Sequence, residues 1–192
     1  MGVEMDTASF LILAYSSFNK IEGRTKLQKL IYFLSILTKK ETDLGFNAHY
    51  YGPYSPVITN VNSNLKSLRY LSEIQKDMPV INNKGFEIKR YDYTLTDDGK
   101  KMAENLKKSF NDDWKNISNS AETIRKAAGS LNYLELAIAS KVYYILSHES
   151  KGGSTKDNIL EIAKKFGWEV SESEVGKSIR FLSKLGLISI QN

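Results

Sequence analysis

The chain has 192 residues, of which 41% are hydrophobic, and this composition is typical of a soluble globular protein that buries a sizeable core. It contains no cysteine, which excludes disulfides, thiol nucleophiles and cysteine-ligated metals. The net charge is +5, with 16 basic against 12 acidic residues in the first 110 positions and 11 against 10 in the remainder. A modest positive excess favours a polyanionic partner, so we expect any nucleic-acid-binding surface within the first 110 residues.

The amino-terminal residues Met-Gly-Val-Glu-Met-Asp lack the basic start of a signal peptide. No apolar run along the chain approaches the length of a membrane-spanning helix. We therefore expect a cytoplasmic protein that does not contact a membrane.

Two helices are predicted near the amino terminus. Residues 7–19 are largely apolar and predict a mostly buried first helix. Thr25 and Gln28 have the spacing of a capping box and predict the start of a second helix, which extends to Lys39. Its apolar residues fall on one stripe, as expected for an amphipathic helix: Leu27, Leu30, Ile31, Leu34 and Leu37.

The stretch His49–Ser55 connects this helix to the next one. His49–Tyr51 is rich in aromatic residues and predicts a short strand, and Gly52-Pro53 predicts a turn. Ser55 as N-cap and Pro56 at the first helical position predict a helix that runs to about Leu71. A rigid turn between two capped helices favours a helix-turn-helix or winged-helix core.

The predicted helix 55–71 has one apolar and one polar face. Ile58, Val61, Leu65 and Leu68 share a face, and the opposite face is rich in Asn and Ser. Asn side chains can bond adenine edges, and Arg can read guanine or hold phosphate, so this helix is a candidate recognition helix. The alternative, an ordinary solvated helix face, has equal weight at this point.

Residues 79–96 predict a β-hairpin with a turn at Asn82–Gly85. A hairpin directly after a candidate recognition helix has the position of a wing, and basic residues would suit it to backbone phosphates. The alternative is an ordinary hairpin with solvated charges. The candidate DNA-binding residues on the helix and the hairpin are Asn60, Asn62, Ser63, Asn64, Lys66, Ser67, Arg69, Lys84, Lys89 and Arg90.

The remaining chain is predicted to be helical. Thr96 caps one helix, and residues 111–130 predict a helical connector that could serve as a dimer contact. In 131–192, Thr155 and the Ser171–Glu174 capping box start two helices, and Leu187–Ile190 predicts a strand. We therefore expect a winged-helix-like domain at 1–110, a connector at 111–130 and a helix-turn-helix-like unit at 131–192. This last unit either contacts phosphates through Lys177, Arg180 and Lys184 or serves packing and dimerisation.

Three sequence blocks carry a family resemblance. They are Gly23–Tyr32 (GRTKLQKLIY), His49–Ser55 (HYYGPYS) and Tyr93–Thr96 followed by Gly99. Together they resemble the YwgA-like family of uncharacterised prokaryotic proteins and, more distantly, the Panacea domain of antitoxins and phage-associated proteins. The first resemblance implies no established activity, and the second implies a non-enzymatic adaptor or antitoxin.

No constellation of catalytic or metal-ligating residues is visible. The two histidines, His49 and His148, are far apart in sequence, and Gly152–Lys156 lacks the spacing of a phosphate-binding loop. We therefore predict a mainly α protein with a small β-hairpin that is not an enzyme and has no cofactor or metal. The favoured function is a double-stranded DNA-binding transcriptional regulator, as a homodimer. The alternative is a protein-interaction module of antitoxin or phage-defence type.

Overall fold

The computed structural model describes residues 4–77, 89–129, 131–150 and 154–189. Within these ranges it contains nine α-helices, one π-helical turn and three strands. The elements of the first half are α1 (Thr7–Phe18), β1 (Lys20–Glu22), α2 (Arg24–Thr38), α3 (Glu41–Leu44), α4 (Pro56–Ser67), β2 (Leu71–Asp77) and β3 (Lys89–Leu95). Those of the second half are α5 (Asp97–Ser109), α6 (Asn111–Ala128), α7 (Tyr133–Tyr144), the π-helical turn (Ile145–Glu149), α8 (Lys156–Lys165) and α9 (Glu172–Lys184). The protein is thus mainly helical with a small sheet, as predicted.

The three strands form one antiparallel sheet in the order β1-β3-β2. Strand β3 corresponds to the second strand of the predicted hairpin. Its partner β2 begins at Leu71, where the sequence predicted the end of a helix. The predicted turn Asn82–Gly85 lies outside the described residues. Strand β1 was not predicted from the sequence, because three residues are too few to show an alternating pattern.

The core is built around α1 and α2. Six consecutive residues of α1, 10–15, are buried, because helices α5 and α6 and the sheet pack around it. Helix α2 contacts α6 and α7, and α7 in turn packs on α9. A single cluster of buried side chains includes residues from all three of the predicted regions.

The predicted connector is a continuous helix that belongs to this core. Helix α6 spans Asn111–Ala128 and buries Ile117, Ala121 and Ile124 against the rest of the protein. Its contacts with α1 and α2 tie the carboxyl-terminal helices to the amino-terminal ones. The apolar spacing of i, i+4, i+7 is what a single buried helix face requires.

Most predicted helix caps are confirmed. Ser55, Thr96 and Thr155 accept hydrogen bonds from the backbone at the starts of their helices, and Ser171 and Glu174 form a complete capping box. The predicted Thr25–Gln28 capping box is wrong, because α2 begins after Gly23 without a side-chain cap. Gln28 is buried and bonds Ser55 in a different segment of the chain instead.

Two strand predictions are wrong. His49–Tyr51 lies in a turn that an isolated bridge between Asn47 and Tyr54 closes. Residues 187–189 are also outside any strand, whereas Ile190 lies beyond the described part of the chain. Apolar or aromatic residues favour a strand only where a neighbouring strand is present to pair with them.

A glycine permits the close approach of α5 to the end of α4. A Cβ atom at Gly99 would lie 2.0 Å from the carbonyl oxygen of Tyr70, which no side chain could occupy. Thr96 fixes the same junction, because its hydroxyl donates to the carbonyl oxygen of Arg69 at 2.6 Å. The block Tyr93–Gly99 therefore positions α4 against the sheet and α5.

Candidate nucleic-acid interface

The outer face of helix α4 is polar and solvent-exposed. Asn60, Ser63, Asn64 and Ser67 are all exposed, and their spacing of i, i+3, i+4, i+7 places them on one face of the helix. The opposite face buries Ile58 and Leu65 in the core. Residues 56–70 contain no acidic side chain, so nothing on the helix itself repels a polyanion.

Asn62 does not belong to this face, and its prediction as a DNA-binding residue is wrong. Its side chain is only 5% exposed, and its Oδ1 accepts a hydrogen bond from the Tyr15 hydroxyl at 3.0 Å. Burial raises the pKa of Tyr15 well above its ordinary value, so the hydroxyl keeps its proton and remains a donor. The position could have been recognised from the sequence, because residue 62 is four residues after Ile58 and three before Leu65.

Lys66 is held by an ion pair. Its Nζ lies 2.7 Å from Oε1 of Glu73 on strand β2, and both side chains are partly buried. Burial alone would raise the pKa of Glu73, but hydrogen bonds from Lys66 and Tyr93 outweigh it and the pKa is lowered. Lys66 therefore links α4 to the sheet.

Arg69 occupies an unusual backbone position just after α4. Its φ of 62° is left-handed, and the helix ends in a Schellman motif, with the Arg69 N–H bonding the Lys66 carbonyl and the Tyr70 N–H bonding the Leu65 carbonyl. Glycine is the usual residue at this position because a Cβ atom is disfavoured there. The Arg69 side chain is exposed and makes no ion pair with other described residues.

The predicted wing residues that the structure describes differ in whether their charges are free or bound within the fold. Lys84 lies outside the described residues, and Lys89 is exposed at the start of β3. Arg90 has its Nε 2.9 Å from Oδ1 of Asp92, whose side chain is 2% exposed, and its Nη2 3.6 Å from Glu22. Arg90 is therefore engaged within the protein.

Two further cations reach the same buried carboxylate. Lys20 on β1 and Lys76 on β2 place their Nζ atoms 3.0 and 3.3 Å from Oδ2 of Asp92. Burial favours the protonated form of Asp92, but the hydrogen bonds from Lys20, Arg90 and Lys76 prevail and lower its pKa. The cluster has one cation on each strand. It was not predicted from the sequence because it depends on how the strands pair.

Arg24 is an exposed cation beside α4 that sequence reasoning also missed. Its guanidinium lies 3.7 Å from the centre of the Tyr91 ring. Together with Ser63, Lys66 and Glu73 it lines a cavity of about 270 Å³ between α2, α4 and the sheet. In the sequence, Arg24 directly precedes the predicted start of the second helix and belongs to the block Gly23–Tyr32.

The segment before α4, His49–Tyr54, is called the aromatic turn here, and buried polar groups of α2 fix it. Gln28 donates from Nε2 to the carbonyl oxygen of Ser55 and accepts from the Ser55 N–H, both at 3.0 Å. Lys29 is 2% exposed and donates from Nζ to the carbonyl oxygen of Pro53 at 2.6 Å. Burial lowers the pKa of Lys29 to about 7, with a further contribution from the charge of Lys141.

The carboxyl-terminal helices support the aromatic turn from the other side. Trp168 donates from Nε1 to the carbonyl oxygen of His49 at 2.8 Å. Gly52 has a φ of 86°, and a Cβ atom there would lie 3.0 Å from side-chain atoms of Ser140 and Lys141 on α7. Within the blocks that carry the family resemblance, Gln28, Lys29 and Gly52 are therefore accounted for by packing and backbone hydrogen bonding.

The described residues contain no group of three or more acidic or histidine side chains arranged to hold a metal ion. Within the same ranges, no helix is both long enough and apolar enough to cross a membrane. Comparison of the sequence with models of known protein families finds no match, and comparison with curated proteins finds no similar protein.

Proposed function

We propose that the protein binds double-stranded DNA as a winged-helix transcriptional regulator. The order α1-β1-α2-α4-β2-β3, with β3 between β1 and β2, supports this assignment. In a winged helix, three helices precede a two-stranded wing, and a short strand between the first two helices completes the sheet. Helix α4 then takes the place of the recognition helix, and α3 is a four-residue insertion before it.

The observation that carries the proposal is the outer face of α4. Asn60, Ser63, Asn64 and Ser67 form an exposed row of hydrogen-bonding groups. An α-helix with its side chains is about 10–12 Å wide, and the major groove of B-DNA admits such a helix. Amide and hydroxyl groups on that face can donate to and accept from base edges.

The exposed cations around α4 would hold phosphates. Arg69 follows the helix, Arg24 lies beside it and Lys89 begins the strand that returns from the wing. Phosphate contacts fix the position of a protein on the duplex, whereas base contacts determine the sequence. Lys66 and Arg90, which are engaged in ion pairs, support this surface and are not assigned to DNA.

A salt titration with a random duplex of about two helical turns, followed by fluorescence anisotropy, tests the proposal. We expect log affinity to fall linearly with log salt, with a slope of about −0.9 for each phosphate neutralised. Arg69→Gly should weaken binding to all sequences and reduce the magnitude of that slope by about 1. The same change should raise the free energy of unfolding by about 0.5–1 kcal/mol, because glycine accepts the left-handed backbone.

Lys39→Gly is the matched control. Lys39 also has a left-handed backbone, with a φ of 58°, ends a helix and is exposed, but it lies at the end of α2. This variant should gain similar stability and bind DNA with unchanged affinity and slope. Equal affinities for the parent and both glycine variants, or no binding at low salt, would contradict the assignment of this surface.

A second candidate is a protein-interaction module of antitoxin or phage-defence type. It is favoured by apolar side chains exposed near the same surface: Leu68 after α4 is 63% exposed, and Ile74 on the edge strand β2 is 53% exposed. Edge strands and exposed apolar groups are common protein-docking features. Co-purification of one stoichiometric protein without nucleic acid, lost in a Leu68→Ser and Ile74→Ser double variant, would support this function over DNA binding.

A further inference from the structure

A cavity of about 500 Å³ lies between the aromatic turn, helix α7 and the loop before α9. Its volume falls within the range of small-molecule sites in proteins. Thr25 at the start of α2 also contributes to it, but no residue of α4, β2 or β3 is among the described residues that line it. The cavity is therefore separate from the proposed DNA surface.

The walls of the cavity are largely apolar and aromatic. Tyr50 and Tyr51 come from the aromatic turn, and Leu134 and Ile138 come from successive turns of α7. Val170 contributes from the loop before α9. Lys29 and Trp168 hold the backbone of the aromatic turn, and Gln28 holds Ser55 next to it, so the backbone of this wall is fixed before any ligand arrives.

Lys141 supplies a cationic group in this cavity. It is half-buried, and its ammonium makes no hydrogen bond or ion pair with any described residue. The centre of the Trp168 ring lies 5.6 Å from its Nζ. Burial lowers the pKa of Lys141, and the charges of Glu174 and Glu169 oppose that shift.

Two carboxylates, those of Glu169 and Glu174, also line the cavity with Lys141. Glu174 accepts hydrogen bonds from the Ser171 N–H and hydroxyl at 2.8 and 2.7 Å, and Glu169 is exposed to water. Lys29 bonds the carbonyl oxygen of Pro53, and because burial lowers its pKa to about 7, it adds a second positive charge only below about pH 7. A half-buried ammonium without a partner gains more from an incoming anion than from any neutral group.

We propose that this cavity binds a small organic anion, with its apolar body between the aromatic turn and α7 and its acidic group accepting a hydrogen bond from Lys141. The site is independent of DNA binding, because it shares no lining residue with the outer face of α4. A carboxylate or sulfonate on an aromatic or branched aliphatic body has the required combination of charge and apolar area.

Two fluorescent probes that differ in charge test this proposal. Anilinonaphthalene sulfonate is an aromatic anion, and N-phenyl-naphthylamine is its neutral counterpart. We expect saturable binding of one sulfonate per chain, and Lys141→Met should weaken it by about 10- to 100-fold, the usual range for a hydrogen bond to a charged group. The affinity of the neutral probe should change by less than about twofold, and Lys141→Arg should retain most of the sulfonate binding.

Two further variants exclude indirect effects. Lys184→Met removes an exposed lysine of α9 that does not line the cavity and should change neither affinity. Leu134→Trp should fill the cavity and lower the affinity for both probes. Thermal unfolding of each variant confirms that it is folded. The proposal is overturned if neither probe binds saturably, if Lys141→Met weakens both probes equally, or if it leaves sulfonate binding unchanged.

Discussion

Two regions of the protein are rich in polar side chains but use them in opposite ways. One is the junction between α2 and the aromatic turn, and the other is the outer face of α4. At the junction, Gln28 and Lys29 are buried. Gln28 bonds the N–H and the carbonyl of Ser55, directly after the aromatic turn, and Lys29 bonds the carbonyl of Pro53 within it. On α4, the side chains of Asn60 and Asn64 are exposed and make no hydrogen bond with other described residues. The first region shows polar groups that hold a fold together, and the second shows polar groups left available for a partner.

The largest expected effect breaks the junction. Gln28→Leu replaces the amide with an apolar side chain of similar size and leaves the N–H and the carbonyl of Ser55 buried without this partner. We expect a loss of about 2–4 kcal/mol in the free energy of unfolding, measured with urea, since each unsatisfied group costs about 1–3 kcal/mol. DNA affinity of the folded variant should stay at the parent value.

Gln75→Leu is the matched control for this change. Gln75 lies on β2 and is exposed, so its loss should alter the unfolding free energy by no more than about 0.5 kcal/mol. A similar small change in Gln28→Leu would show that the two bonds to Ser55 do not stabilise the aromatic turn.

The second prediction sharpens the contrast within α4 itself. Asn62→Ala leaves the buried Tyr15 hydroxyl without its partner and should lower the unfolding free energy by about 1–3 kcal/mol, with unchanged affinity for a selected DNA site. Asn64→Ala, two residues away on the exposed face, should do the reverse and weaken binding by about 1–3 kcal/mol at constant stability. If both variants changed the same property, the division of α4 into a structural and a binding face would be wrong.

The third prediction concerns Lys29, and its effect on stability is spread over a range of pH. Its pKa is about 7 in the folded protein and 10.5 ordinarily, so between these values the unfolded chain binds more protons than the folded one. The free energy of unfolding therefore rises with pH in this window, by up to about 1.4 kcal/mol per pH unit from this group. Below about pH 7 both states are protonated, and the cost of burying the charge is fully present.

Lys29→Met should remove this contribution. We expect the difference in unfolding free energy between parent and variant to shift in favour of the parent as the pH rises from about 7 to about 9. Urea unfolding at several pH values measures it, with Lys184→Met as the exposed control. A difference that stays constant with pH would mean that Lys29 is protonated throughout.

Local signals in the sequence predicted much of the fold. The caps at Ser55, Thr96, Thr155 and Ser171 depend on residues three positions apart, so they can be recognised without knowledge of the tertiary structure. The Thr25–Gln28 prediction failed because the same spacing also suits a glutamine that bonds a distant segment. Nothing near Gln28 in sequence indicates that Ser55, 27 residues away, is its partner.

The candidate interface was predictable in part for the same reason. Helical spacing placed Asn60, Ser63, Asn64 and Ser67 on one face, and the structure keeps them there. The ion pairs of Lys66 and Arg90 could not be predicted, because their partners Glu73 and Asp92 are set by packing on β2 and by strand register. A basic residue in a sequence does not show whether its charge is already neutralised within the fold.

The hydrogen bond from Trp168 to His49 joins residues 119 positions apart. During synthesis the amino-terminal helices emerge first, but the aromatic turn gains this bond only after the chain has been extended as far as Trp168. Long-range contacts of this kind are costly to close and form late in folding. The segment that leads into α4 therefore gains this restraint only when most of the polypeptide has left the ribosome, and a chain truncated before α8 would lack it.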